Sequence, residues 1–213
     1  MKVKICGHGT KEDAGRSVKL GADFIGVIVD VPVNTKRKVS VDKAAQIIQS
    51  ITPPASGVMV IMPGSVENAK ELYEAVKAPF VQLHGDESAE FVRELKGRIP
   101  AKIIKTIPVG GPDAMSYAKK HAKFADALLL DTAAEKAGGS GIVHDWEISR
   151  RIVKEVQIPV LLAGGLTQKN VKNAIVAVGP YGVDVASGVE DAFGNKDFKK
   201  VKEFIFNAKS KIP

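Results

Sequence analysis

The sequence predicts an α/β protein built as a single (β/α)8 barrel, and three observations carry that expectation. Eight short apolar runs rich in branched residues recur along the chain, a helix-like stretch follows each, and the glycine-rich turns come after the seventh and eighth runs. Each run is too short for a helix and too continuous for a half-exposed antiparallel strand, which suits parallel strands buried on both faces. Eight such units in 213 residues make a compact TIM barrel with strand order following sequence order and right-handed crossovers. A doubly wound open sheet alternates in the same way, but it places a glycine fingerprint after its first strand.

In order, the strand runs are VKIC (3–6), FIGVIV (24–29), GVMVIM (57–62), FVQL (80–83), KIIKT (102–106), ALLLD (127–131), PVLLA (159–163) and YGVDVAS (181–187). The helices are expected over 11–20, 41–50, 65–77, 87–95, 113–122, 146–154, 168–178 and 197–210. Ser40, Ser65 and Thr167 stand where a side-chain oxygen can accept from the orphan amides of a helix start. No linker, low-complexity tract or charge block interrupts 1–213, so one domain is expected.

With 45% hydrophobic and 26% charged residues the chain is long enough to bury a sizeable core. A single cysteine excludes an internal disulfide framework and fits a reducing compartment. No apolar run approaches the roughly 18 residues of a membrane span, and the N-terminus lacks a signal-peptide profile, so a soluble cytoplasmic protein with no membrane partner is expected. A net charge of +7 and a pI near 9.4 favour anionic ligands. With 6% aromatic content and no basic-aromatic ribbon, the lysines, Lys196, Lys199, Lys200 and Lys202 among them, fit a solvated face better than a nucleic-acid surface.

A barrel of this kind builds its active site from strand carboxyl ends and the loops that follow. Those ends read Cys6-Gly7, Asp30, Met62-Pro63, His84-Gly85, Thr106, Asp131-Thr132, Gly164-Gly165 and Ser187-Gly188. Glycine turns after strands seven and eight free backbone amides for a phosphate. Taken singly, Cys6 reads as a small buried hydrophobe and Asp131 as a cap or ion-paired carboxylate; as a pair across the mouth, beside a phosphate cradle, they read as an acid and a base. His84 is placed either to touch a ligand or to hydrogen-bond the next strand end. His121 and His144 read as surface residues. No His, Cys or carboxylate spacing matches a metal site and no P-loop occurs, so no metal is expected.

KICG at the first strand, KRKVS after the second, VQLHGDE at the fourth, LLLDT at the sixth, LAGGL at the seventh and PYGVDVASGVE at the eighth together resemble the phosphoribosylanthranilate isomerases of tryptophan biosynthesis, from residue 3 to about 197. The resemblance implies an intramolecular oxidoreductase, an aldose-ketose isomerase. It would convert N-(5-phosphoribosyl)anthranilate to 1-(2-carboxyphenylamino)-1-deoxyribulose 5-phosphate by an Amadori rearrangement without cofactor or metal. It further implies Cys6 as general base, Asp131 as general acid and Arg37 as partner of the anthranilate carboxylate. Amides around Gly164, Gly165, Ser187 and Gly188 would bind the phosphate, with Asp184 near the sugar.

Those roles suit the side chains. Opening the furanose requires a proton on the ring oxygen, and the resulting imine acidifies the hydrogen on the second sugar carbon, which a thiolate can remove. Keeping Asp131 protonated near pH 7 needs a rise of roughly 3 pH units over the ordinary aspartate value, about 4 kcal/mol. Two departures from the family pattern stand out. Cys-Gly-His-Gly-Thr makes the first loop one residue longer, with His8 either lining the site or exposed. Thr35-Lys36 replaces a Ser-Pro, so Arg37 is expected to order only when ligand arrives. Rival readings are a histidine-pathway phosphoribosyl isomerase, disfavoured by cysteine at position 6, and a non-catalytic barrel binding phosphate or nucleic acid. Monomer and homodimer are both compatible with the sequence.

Overall fold

The computed structural model describes residues 1–110, 113–132 and 146–210. Its strands are β1 (Lys2–Cys6), β2 (Phe24–Val29), β3 (Lys38–Val39), β4 (Ser56–Ile61), β5 (Phe80–Leu83), β6 (Lys102–Val109), β7 (Ala127–Thr132), β8 (Val160–Leu162) and β9 (Gly182–Val185). All pair in parallel in the order β1-β9-β8-β7-β6-β5-β4-β2-β3, and a further β1–β2 pairing closes eight of them into a barrel. The helices between them are α1 (Lys11–Lys19), α2 (Val41–Gln49), α3 (Val66–Val76), α4 (Ala89–Arg98), α5 (Ala114–Ala122), α6 (Trp146–Glu155), α7 (Val171–Val178) and α8 (Phe198–Lys209).

The two-residue β3 was not legible in the sequence. Ile28 of β2 pairs with Val60 of β4 and with Lys38 of β3, while β1 leaves β2 after Cys6 meets Gly26. The short strand therefore takes the β2 edge that β1 vacates, and this sets the residue before it, Arg37, over the end of β1. The arginine stem lies so close to Gly7 (φ +83°) that a Cβ there would stand 2.8 Å from Arg37 Cδ.

Strand alternation divides the core in two. On β1, Val3 and Ile5 face the helices while Lys4 and Cys6 face inward, and inside the barrel Cys6 joins Val58, Val60, Ile104, Leu129, Leu161 and Ala163. Parity thus decides which strand-end side chains can reach the mouth.

Helix starts follow local chemistry. Thr10, Ser40, Ser65 and Ser88 accept from the amides of Asp13, Lys43, Asn68 and Phe91. Helix α7 begins at Val171 behind Asn170, later than expected, because Thr167 Oγ1 accepts from Lys169 N at 3.2 Å and heads a turn instead. Helix α4 also starts later than expected: Glu87 turns back to accept from Gly85 N, leaving Ser88 as the cap.

Candidate active site

Cys6 ends β1 facing into the barrel and is 6% exposed. Its Sγ would stand 2.6 Å from a Cβ at residue 26, so Gly26 on β2 makes the room the thiol occupies. Burial pushes the thiol above its ordinary pKa, while the buried Lys4 ammonium opposes this, Asp184 adds to it and Lys196 again opposes it. Lys4, two residues earlier on the same inward face, is wholly buried, and its Nζ donates to Asp184 Oδ1 at 2.9 Å.

Asp131 stands at the end of β7. Its Oδ1 accepts from Thr132 N at 2.8 Å, and its Oδ2 lies 3.8 Å from His84 Nε2. The two side chains keep 31% and 37% of their surface open to the mouth, yet the walls around them dominate their titration. Burial pushes Asp131 above the ordinary carboxylate range; the His84 imidazole opposes that and Asp184 reinforces it. Burial likewise pushes His84 down, against the pull of Asp131.

His84 follows β5 and is held by the strand interior. Gln82 Nε2 sits 2.9 Å from His84 Nδ1 and donates to Thr106 Oγ1, itself 3.1 Å from that ring nitrogen. With the amide donating to it, Nδ1 is the acceptor, and the neutral ring carries its hydrogen on Nε2, toward Asp131. Of the two roles open to His84 in the sequence, the bond to the next strand end is present, made to Thr106 within β6.

A cavity of about 120 Å³ is lined by Asp131, Gly164, Gly165, Asp184, Ser187 and Gly188, among others. Gly164 and Gly165 have φ of +81° and +65°, so side chains there would be strained. A Cβ on Gly164 would run into Thr132 Oγ1, and one on Gly188 into the Leu166 carbonyl. Ser187–Val189 forms a single 3-10 turn directly after β9.

Arg37 is anchored within the chain itself, by a partner the loop sequence does not reveal. Its Nε and Nη2 donate to Glu190 Oε1 and Oε2 at 2.8 and 2.6 Å, a bidentate fork that needs no proline. Lys196 Nζ donates to the same Oε1 at 2.7 Å and to Ala186 O at 3.2 Å. Burial works against ionisation of Glu190, but bonds from Arg37 and Lys196 still hold it below the ordinary carboxylate range. Lys196 is therefore a buried ion-pair partner and no part of a solvated face.

His8 is wholly buried, with Nε2 2.8 Å from Ser17 Oγ of α1, so the lengthened first loop is pinned and the exposed alternative is wrong. Burial, with Lys196 nearby, pushes its imidazole down to about 3. His121 is buried too, within α5, its ring nitrogens 2.8 and 3.0 Å from the carbonyls of Tyr117 and Glu87, contrary to the surface reading. His144 lies outside the described residues. Among the described residues no cluster of three His, Cys, Asp or Glu could hold a metal ion, and no helix is long and apolar enough to cross a membrane.

Lys4, Glu190, Lys196, Gln82 and Thr106 are the polar residues of this site that motif reading passed over as groups with a task. Lys4 had a signal: a lysine two residues before Cys6 in a buried strand must share its inward face.

Comparison with known proteins places the fold and the motifs together. The N-(5'-phosphoribosyl)anthranilate (PRA) isomerase family model matches residues 3–207. The N-(5'-phosphoribosyl)anthranilate isomerase of Methanocella arvoryzae is 44% identical over 206 residues, 96% of each chain. The crystal structure of phosphoribosyl anthranilate isomerase from Thermotoga maritima superposes with a TM-score of 0.87 at 36% identity, covering 98% of both chains. A further structure of such an isomerase, in complex with reduced 1-(o-carboxyphenylamino)-1-deoxyribulose 5-phosphate, gives 0.83 at 34% identity over 98% of both.

Proposed function

This chain belongs to the N-(5'-phosphoribosyl)anthranilate isomerase family, and from that premise we propose that it isomerises its substrate in tryptophan biosynthesis with Asp131 as acid and Cys6 as base. The single observation that carries the residue assignment is the shared mouth. Asp131, Asp184 and the glycine turns line one cavity, and Lys4 joins Asp184 to the inward face of β1 that ends in Cys6.

Phosphate at the Gly164–Gly165 and Ser187–Gly188 turns would fix the sugar with one end beside Asp131. There the carboxyl, its hold on a proton strengthened by burial, delivers that proton to the ring oxygen as the glycosylamine becomes an imine. Cys6 then takes the hydrogen from the second sugar carbon as thiolate, and the enolamine tautomerises to the ketone. The state competent for both steps carries a proton on Asp131 and none on Cys6.

Arg37 would receive the anthranilate carboxylate. Its Nε and Nη2 are committed to Glu190, which leaves Nη1 as the edge for substrate. A cytoplasmic location follows from this biosynthetic role. Cysteine at position 6, where the histidine-pathway enzymes use aspartate, favours the anthranilate substrate over that rival.

The test is turnover of freshly made phosphoribosylanthranilate, followed by loss of anthranilate-type fluorescence, beside the histidine-pathway aminoaldose. Turnover of the first alone is expected. Turnover of the second alone would overturn the substrate assignment, and turnover of neither would overturn the activity.

A further inference from the structure

We propose that the buried Lys4–Asp184 ion pair is a positioning device that biases the shared proton of the active site away from Cys6 and onto Asp131. This rests on the reading of Cys6 and Asp131 as base and acid.

The geometry is a dipole laid across the barrel floor. Lys4 and Asp184 are directly paired in register between β1 and β9, and their side chains meet at 2.9 Å, 0% and 10% exposed. The positive end shares the inward face of β1 with Cys6, two residues on. The negative end lines the same cavity as Asp131, whose strand β7 is separated from β9 by β8 alone. One end therefore stabilises a thiolate, and the other disfavours a second carboxylate.

Each end outweighs its partner where it matters. At Cys6 the opposing pull of Lys4 exceeds the push of Asp184, and at Asp131 the push of Asp184 exceeds the pull of Lys4. The other charged or titratable groups that bear on Cys6 are Lys196 and Arg37, both tied to Glu190, and His84 is the other on Asp131. Lys4 bears on the thiol more strongly than Lys196 does, and the charges of Lys196 and Arg37 are partly offset by Glu190.

A thiol raised by burial and a carboxylate raised by burial have between them two one-proton forms, thiol with carboxylate and thiolate with carboxylic acid. Only the second is competent for this reaction. The dipole favours that form, and its Lys4 end, wholly buried and outside the cavity lining, acts through Cys6.

Cys6 is the only cysteine, so its thiolate absorbance near 240 nm reports this one group without substrate, with Cys6→Ser as blank. Lys4→Met is expected to move the thiol titration up by about one pH unit, lower the plateau of kcat/KM about tenfold and displace its alkaline limb upward. Asp184→Asn is expected to move the thiol titration down, and Lys4→Arg to restore it toward wild type. Should Lys4→Met fail to fold because Asp184 is left buried and unpaired, Lys4→Met/Asp184→Asn removes both charges, and its thiol still titrates above wild type. Unmoved titrations, or shifts of Lys4→Met and Asp184→Asn in the same direction, overturn the proposal. Turnover retained in Cys6→Ser would instead remove the base assignment and leave the titration result standing.

Discussion

Lowering the pH from 7 to 5 acts on His8. Its imidazole is fully buried against Ser17 with its pKa depressed to about 3, whereas in the unfolded chain it titrates near 6.5. A depressed folded-state value means stability that is present above the unfolded pKa and is lost as pH falls toward the folded one. At pH 5 the unfolded chain holds most of a proton that the folded protein does not. The unfolded state is then favoured by about 1.5 pH units, or about 2 kcal/mol, relative to neutrality. Urea unfolding of wild type and His8→Asn at pH 7, 6 and 5 isolates this contribution, because the carboxylates common to both proteins cancel in the difference. His8→Asn is expected to be the less stable at pH 7, having lost packing, and the gap should close by about 2 kcal/mol by pH 5. A gap that stays constant over this range would refute the buried neutral imidazole.

Three further perturbations address other parts of the barrel. Lys105 donates to Glu87 Oε2 at 2.8 Å with both side chains buried; Lys105→Met strands that carboxylate and is expected to cost about 3 to 5 kcal/mol in urea unfolding, much of it recovered in Lys105→Met/Glu87→Gln. Gly188→Ala drives a methyl into the Leu166 carbonyl, so affinity for a phosphate-bearing product analogue, by calorimetry, should fall at least about tenfold. In Glu190→Gln the fork on Arg37 loses its charge, and steady-state kinetics should show KM rising about tenfold with a smaller change in kcat.

Much of this site was open to inspection in the chain because barrel geometry ties position to parity. Cys6, His84 and Asp131 fall at strand ends, and the glycine turns stand where a cradle needs backbone freedom, whereas Asp184 came only with the family resemblance. Contacts that join distant segments were not legible. Nothing local says that Glu190 clamps Arg37 across 153 residues, or that Lys196, one of many lysines, is the buried one. The same holds for His121, whose environment is made by the loop before α4, and for β3, which exists only because β1 ends early on one edge of β2. The exposed alternative for His8 fails because the added loop residue docks onto α1 instead of opening to solvent.

The central claim is that Cys6 and Asp131 divide the proton transfers at one barrel mouth. It is tested most directly by turnover of phosphoribosylanthranilate in Cys6→Ser and Asp131→Asn, with affinity for the reduced product analogue measured alongside. A loss of several orders of magnitude in kcat for both, with affinity kept within a few-fold, is the predicted result, since the Arg37 and glycine-turn contacts are untouched. Near-normal turnover in either variant would contradict it.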